Sequence, residues 1–161
     1  MVALAMNDST SDNAGVIAIP PIVYLVGLLL GLLLHYLYPV KFLPTAISVW
    51  SGVLLILMAV LMVLSALLAF RRVGTSPDVR KPTTAISTDG IYQFSRNPMY
   101  ISLTLLYLGI AAWVNSLWIL LLLISVLVIV DQGVIKREER YLEKKFGDEY
   151  LRYKSQVRRW I

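Results

Sequence analysis

The chain of 161 residues contains no cysteine and only one histidine, His35. Without cysteine the protein has no disulfide bonds, no thiolate metal site and no cysteine nucleophile, and a single histidine excludes a multi-histidine metal site. Charged residues are also scarce, at 16% of the chain, whereas a soluble domain has about 25%. The glycines form neither a GxGxxG nor a Walker pattern, so the sequence does not support a Rossmann or P-loop nucleotide site.

Hydrophobic residues make up 58% of the chain, and the mean hydropathy is +0.71. These values predict an integral membrane protein with one domain. The formal net charge of +5 does not indicate nucleic acid as a partner, because the basic residues flank hydrophobic runs and suit a membrane surface. The N-terminal region lacks a basic stretch and a cleavage site, so we interpret the first hydrophobic run as a retained membrane helix.

The hydrophobic runs predict an all-α integral membrane protein with about four transmembrane helices, the last two forming a short hairpin. About 20 apolar residues are needed to cross a bilayer, and Asn115 and Ser116 divide the last uncharged run into two shorter pieces. One domain covers 16–161 after a flexible tail. The predicted segments are the tail at 1–15, helices at about 16–38, 45–70, 99–114 and 117–132, a polar loop at 71–98, and a helical C-terminal segment at 133–161.

The C-terminal segment carries an aromatic and apolar stripe. Tyr150, Tyr153, Val157 and Trp160 recur at steps of three and four residues. This spacing predicts an amphipathic helix that lies on the membrane, with the aromatic tips at the level of the lipid headgroups.

The basic residues predict the orientation in the membrane. Of the 15 Lys and Arg residues, only Lys41 lies outside the loop at 71–96 and the tail that begins at Lys136. The positive-inside rule places both of these segments in the cytoplasm. Two predicted helices precede the loop and two follow it, so the N- and C-termini are also expected to be cytoplasmic.

Two short charged motifs flank the last hydrophobic stretch. In the first, Arg96 and Asn97 precede Pro98, where a helix is expected to begin, and the free backbone N–H groups of a helix start favour an anion. In the second, regular helix spacing places Glu138 and Glu139 at the border of an apolar stripe, where an unpaired carboxylate is costly. These residues are therefore the candidate site.

Each motif also has a structural interpretation that the spacing leaves open. Glu138 and Glu139 could belong to a surface helix and pair with Lys136 or other basic neighbours. Arg96 could extend to the lipid headgroups beside Tyr100 as an interface anchor. Three other features are weaker: His35 suits helix packing, Asp131 suits the membrane boundary, and the Gly, Pro and Lys residues between 74 and 82 suit a structured loop.

Five short pieces, in order, resemble the isoprenylcysteine carboxyl methyltransferase family, which is related to the membrane phospholipid methyltransferases. The similarity covers roughly residues 74–160, and the two leading helices match only in kind. The pieces are Gly74-Thr75 with Lys81-Pro82, Thr88-Asp89-Gly90-Ile91-Tyr92, Arg96-Asn97-Pro98-Met99-Tyr100, Glu138-Glu139-x-x-Leu142, and Phe146-Gly147-x-x-Tyr150-x-x-Tyr153.

The resemblance implies a small membrane enzyme that uses S-adenosylmethionine without a Rossmann fold. Its cofactor pocket would be built at the cytoplasmic face by the last helices, the Arg96 turn and the C-terminal segment. In eukaryotic members of the family the acceptor is the carboxylate of a prenylated C-terminal cysteine. Asn97 stands where many members have histidine, so a histidine base is not available at this position.

We therefore predict a membrane methyltransferase that acts on a lipophilic acceptor, with a carboxylate of the isoprenylcysteine type as the first choice. An amine of a phospholipid or a thiol could occupy the same pocket, and a non-catalytic membrane scaffold is the alternative from another class. The predicted partners are the bilayer and the acceptor, without nucleic acid, and the sequence does not give the oligomeric state.

Within that prediction the residues have assigned roles. Arg96 would hold a carboxylate of the substrate or the cofactor, and Glu138 or Glu139 would bind the cofactor's ammonium group or orient Arg96. No metal ligand is predicted. The predicted catalytic residues are Arg96, Glu138 and Glu139, and the predicted cofactor-binding residues are these three with Tyr92, Asn97, Pro98, Met99 and Tyr100.

Overall fold

The computed structural model describes residues 14–78 and 80–160, and these contain helices and no strand. The tail predicted at 1–15 lies outside the described residues up to position 13. The helices are α1 (Pro20–Leu37), α2 (Thr45–Val73), α3 (Pro98–Val114), α4 (Leu117–Val130), α5 (Lys136–Phe146) and α6 (Asp148–Gln156). A 3-10 turn at Gly90–Gln93 precedes α3, and a π turn at Asp131–Ile135 joins α4 to α5.

Three helical stretches in the described residues are long and apolar enough to cross a membrane: Pro20–Leu37, Thr45–Val73 and Leu117–Phe146. The prediction of an all-α membrane protein is confirmed, but the count of four spans is not. The cause is the length of α3, which has only 17 residues between its start at Pro98 and its end before Asn115. The π turn continues α4 into the charged α5, so these segments count as one long helix.

Glycines set the distances between the helices. Gly31 of α1 lies against the backbone of Ile119 and Gly27 lies against Val126, so the face of α1 that carries these glycines packs on α4. Gly52 of α2 lies against Trp113 of α3, and α3 packs mainly along α2. The two closely packed pairs are therefore α1 with α4 and α2 with α3.

The charged segments meet at one end of the helices. The start of α1, the end of α2, the start of α3 and the end of α4 all lie there. Two contacts fix the N-terminal part of this end: Ile17 N donates to Gly133 O (3.2 Å), and Arg137 Nη1 donates to Gly15 O (3.0 Å). The loop after α2 and the segments α5 and α6 therefore share one face, as the distribution of basic residues predicts.

Asn115 organises the opposite end. It ends α3 in a left-handed conformation with φ 57° and is buried. Its Oδ1 accepts hydrogen bonds from Phe42 N (3.1 Å) and Leu43 N (3.0 Å), and its Nδ2 donates to Leu43 O (2.7 Å). One side chain thus connects the α3–α4 turn to the α1–α2 loop.

Asn115→Ala is expected to lower the midpoint of thermal unfolding by about 5–10 °C, because it removes three buried hydrogen bonds and places alanine at a positive φ. The four tryptophans allow unfolding in detergent to be followed by intrinsic fluorescence. Asn115→Gly is the matched comparison, because it removes the same bonds without the backbone penalty and so should be less harmful. An alanine variant as stable as wild type would contradict this account.

Candidate functional site

A cavity of about 380 Å³ lies at the charged end. Its walls come from the start of α1, the end of α2, the loop between α2 and α3, the start of α3, and the helices α5 and α6. The lining contains both charged and apolar residues. The apolar residues include Pro20, Phe70, Met99 and Leu103. The cavity can therefore accommodate a polar group and an apolar group at the same time.

A tight turn positions Arg96. Pro98 is the first residue of α3, as predicted, and Asn97 precedes it with φ −128° and ψ 49°, outside the helical region. Asn97 N donates to Ser95 Oγ (3.1 Å), and Asn97 O accepts from Tyr100 N (3.0 Å). These local bonds fix the backbone on both sides of Arg96 and aim its side chain at the cavity.

The Arg96 guanidinium is buried without using all of its donors. Its side chain is only 8% exposed, and Nη1 lies 3.2 Å from Glu139 Oε1. This contact is an ion pair without hydrogen-bond geometry, and neither Nε nor Nη1 has a hydrogen-bond partner among the described residues. Buried donors without partners are costly, so this planar group is prepared for an anion. The interpretation of Arg96 as a headgroup anchor is therefore wrong.

Glu138 lines the same cavity. Tyr100 Oη donates a hydrogen bond of 2.8 Å to Glu138 Oε2. In the part of the chain that the structure describes, the ion pairs do not include Glu138. A carboxylate that is held by a neutral hydroxyl and lacks a basic partner is suited to a cation.

Glu139 has a different environment. It is 6% exposed, and both of its oxygens accept from Arg159: Nε to Oε1 at 3.0 Å and Nη2 to Oε2 at 2.7 Å. These bonds to Glu139 raise the pKa of Arg159. Lys136 lies instead 3.6 Å from Asp131 Oδ2. The expected pairing of a glutamate with a basic residue is therefore present at Glu139, but its partner is Arg159 and not Lys136.

The π turn at Asp131–Ile135 sets the direction of both glutamates. A π turn contains one more residue than an α turn and therefore rotates the helix that follows it. Val134 and Ile135 of this turn are fully buried in the core, which fixes α5 against α4. A regular α-helix was expected from about Gly133, whereas regular α5 begins only at Lys136; both glutamates nevertheless line the cavity.

Tyrosines form one wall of the cavity. Tyr153 Oη donates to Tyr92 O (2.7 Å), and the Phe70 and Tyr92 rings lie 5.3 Å apart. Burial raises the pKa of Tyr92 and Tyr153, and it raises that of Tyr150 to about 12, so these hydroxyls stay neutral at physiological pH. Tyr150 and Tyr153 were predicted at the lipid headgroups, and that prediction is wrong because both are buried against the protein.

The other predicted cofactor-binding residues divide into two groups. Tyr92, Asn97, Met99 and Tyr100 line the cavity with the charged residues, whereas Pro98 is fully buried and does not. The Asn97 amide is already used, since Nδ2 donates to Arg159 O (3.0 Å).

Some residues that line the cavity could not be predicted from the sequence. Ser87 lines the cavity with a buried Oγ that has no hydrogen-bond partner among the described residues. Arg80 reaches the lining from the loop, bound to Asp78 at 2.9 Å. Hydrogen bonding to Arg80 lowers the pKa of Asp78 to about 2. His35, by contrast, is not part of the lining.

Comparison with known proteins adds a family. A family model described as "Phospholipid methyltransferase" matches residues 47–149, which is more than half of the chain. The match includes the Arg96 turn and both glutamates. An uncharacterized protein of Haemophilus influenzae is 48% identical over 63 residues, which are 39% of this chain and all of that relative. No solved structure matches the chain significantly.

Proposed function

This chain belongs to the phospholipid methyltransferase family, and on that premise we propose that it transfers the methyl group of S-adenosylmethionine to a lipophilic acceptor at the membrane. One observation carries the proposal. Within the described part of the chain, the buried Arg96 guanidinium has donors without a hydrogen-bond partner and the Glu138 carboxylate has no basic partner, and both groups line the same cavity. A positive and a negative site in one cavity match the carboxylate and ammonium groups of the methionine end of the cofactor.

The residues present fit this cofactor. Arg96 would hold the carboxylate through Nε and Nη1, and Glu138 would hold the ammonium group while Tyr100 keeps it in place. When bound, S-adenosylmethionine supplies an electrophilic methyl group on a sulfonium. The transfer is an in-line displacement, which needs a positioned nucleophile more than an acid or a base. The neutral tyrosines and the apolar lining exclude water and hold the acceptor.

The apolar residues of the cavity lining support a lipophilic acceptor. Pro20 of α1, Phe70 of α2 and Leu103 of α3 belong to helices whose other faces expose large hydrophobic side chains, as expected for lipid contact. The apolar tail of an acceptor can therefore lie along these residues while its polar head reaches the charged residues of the lining.

The acceptor head is the finer part of the proposal. A carboxylate of the isoprenylcysteine type remains the first choice, with Arg80 as the other cation of the described lining. The description of the matching family favours a second candidate, a phospholipid amine. We further propose that the site end and both termini face the cytoplasm, on the distribution of basic residues.

Binding of S-adenosylhomocysteine to the detergent-purified protein, measured by isothermal titration calorimetry, tests the cofactor. Saturable binding is expected, and no binding would favour the scaffold alternative. Transfer of a radiolabelled methyl group from S-adenosylmethionine to prenylcysteine analogues, to phospholipids with primary or methylated amines, and to small thiols then identifies the acceptor.

Glu138→Gln is expected to lower the affinity for S-adenosylhomocysteine about 10–100-fold, because a hydrogen-bonded ion pair with the ammonium group is lost. Tyr100→Phe leaves the carboxylate but removes the hydroxyl that orients it, so a smaller loss of about 3–10-fold is expected. Glu149→Gln, on an exposed position of α6, is the matched control and should bind like wild type. Equal affinities for the Glu138 and Glu149 variants would remove Glu138 from the site.

A further inference from the structure

The last described residues pass directly behind the Arg96 turn. Arg96 N donates to Arg158 O (3.0 Å), and Ser95 Oγ and Asn97 Nδ2 donate to Arg159 O (3.1 and 3.0 Å). Trp160 packs against the hydrophobic core. Three consecutive residues of the turn are thus bound to the main chain of the tail, which fixes the position of the Arg159 side chain relative to that of Arg96.

The Arg159 side chain occupies both oxygens of Glu139. The two bonds, at 3.0 and 2.7 Å, form the bidentate arrangement that a guanidinium and a carboxylate prefer. Arg159 Nη1 also lies 3.4 Å from Asp131 Oδ1. Arg159 therefore binds two acidic groups, one at the start of the π turn and one in α5.

Arg96 is the other cation next to Glu139. Its Nη1 is 3.2 Å from Glu139 Oε1, yet no hydrogen bond is formed there. A buried carboxylate without a partner is strongly destabilising, so Glu139 would bind the nearest cation if Arg159 were absent. That cation is Arg96, and its N–H donors would then form hydrogen bonds to Glu139.

We propose that Arg159 is a positioning residue: by holding both oxygens of Glu139, it keeps Nε and Nη1 of Arg96 free for the carboxylate of a ligand. This inference rests on the proposed function, in which Arg96 binds the carboxylate of the cofactor. It assigns Glu139 and Arg159 an indirect role, because neither needs to contact the ligand. The ligand class remains an amino-acid carboxylate presented inside the cavity.

The experiment compares Arg159→Gln with wild type by calorimetry with S-adenosylhomocysteine and by steady-state kinetics with S-adenosylmethionine. We expect the affinity to fall about 10-fold or more and KM to rise by a similar factor, with kcat at saturation within about 3-fold. Arg152→Gln removes a charge from an exposed position of α6 and should leave all three values unchanged.

A second substitution separates positioning from simple docking of the tail. In Arg159→Gln/Glu139→Gln, no carboxylate competes for Arg96, so the affinity should return to within about 3-fold of wild type. If Arg159 only docked the tail, removing the Glu139 charge would not restore binding. An unchanged affinity in Arg159→Gln, or a double variant as weak as the single one, would overturn the inference.

Arg159→Lys covers the case in which Arg159→Gln does not yield folded protein. Lysine keeps the charge near Glu139 but cannot bind both oxygens. An affinity loss of about 3–10-fold that Glu139→Gln restores is expected, and the absence of a loss would overturn the inference. The two levels are distinguishable: if wild type does not bind S-adenosylhomocysteine, the proposed function fails, whereas equal binding by wild type and the Arg159 variants overturns only this inference.

Discussion

Replacing Arg96 by glutamine is expected to lower the affinity for S-adenosylhomocysteine by about 100-fold or more and to reduce methyl transfer in proportion. Truncating one side of a buried, hydrogen-bonded charge pair costs about 2–5 kcal/mol, and about 1.4 kcal/mol is a factor of ten. The side chain is 8% exposed, so water does not replace the lost partner. The fold is expected to persist, because Glu139 keeps its two bonds to Arg159.

The Arg96 experiment has two controls. Arg72→Gln, at the exposed end of α2, removes a basic residue from the same face and should bind like wild type. The second control is chemical: 5′-methylthioadenosine has the adenosine and sulfur of the cofactor but no amino-acid end. Arg96→Gln should bind this compound like wild type. An equal loss for both compounds would mean that Arg96 shapes the cavity rather than binding the carboxylate.

Local signals predicted the parts of the site that local physics determines. A proline at the first turn fixes the start of α3, and Asn115 can adopt the left-handed conformation that ends it, so both boundaries follow from neighbouring residues. The prediction that charged residues of the loop and the tail meet also succeeded, because an even number of helical passes returns the chain to one face.

The parts that failed depend on contacts between distant residues. The bond of Arg159 to Glu139 joins positions 20 residues apart on different segments, and no local pattern marks it. The π turn at Asp131–Ile135 has no composition of its own. The aromatic stripe of the tail was assigned to lipid because an apolar helix face looks the same whether a bilayer or a protein wall covers it. The count of four spans is not confirmed, because α3 is apolar but has only 17 residues.

The close packing of α2 against α3 at Gly52 is expected to be essential for the stability of the protein. Gly52→Val is expected to lower the stability by about 3 kcal/mol or more and the unfolding midpoint by about 10 °C, or to prevent purification of monodisperse protein. A Cβ atom at position 52 would lie 2.7 Å from Trp113 N and 2.8 Å from Trp113 Cα. These are backbone atoms, so no side-chain rotation relieves the clash, and α2 and α3 must separate.

Separation of α2 and α3 would reach the cavity, because Phe70 lies in the last turn of one helix and Pro98, two residues after Arg96, begins the other. Weaker binding of S-adenosylhomocysteine is therefore expected in any Gly52→Val protein that survives. Gly133→Ala is the matched control, since its Cβ would lie 3.6 Å from Ile17 and no closer to another neighbour. Alanine there also reduces the entropy lost on folding, so a midpoint equal to or above that of wild type is expected. The unfolding of both variants is followed by tryptophan fluorescence. The two substitutions are expected to differ only because α2 and α3 are in tight contact at Gly52, so equal stability would show that these helices have room to adjust.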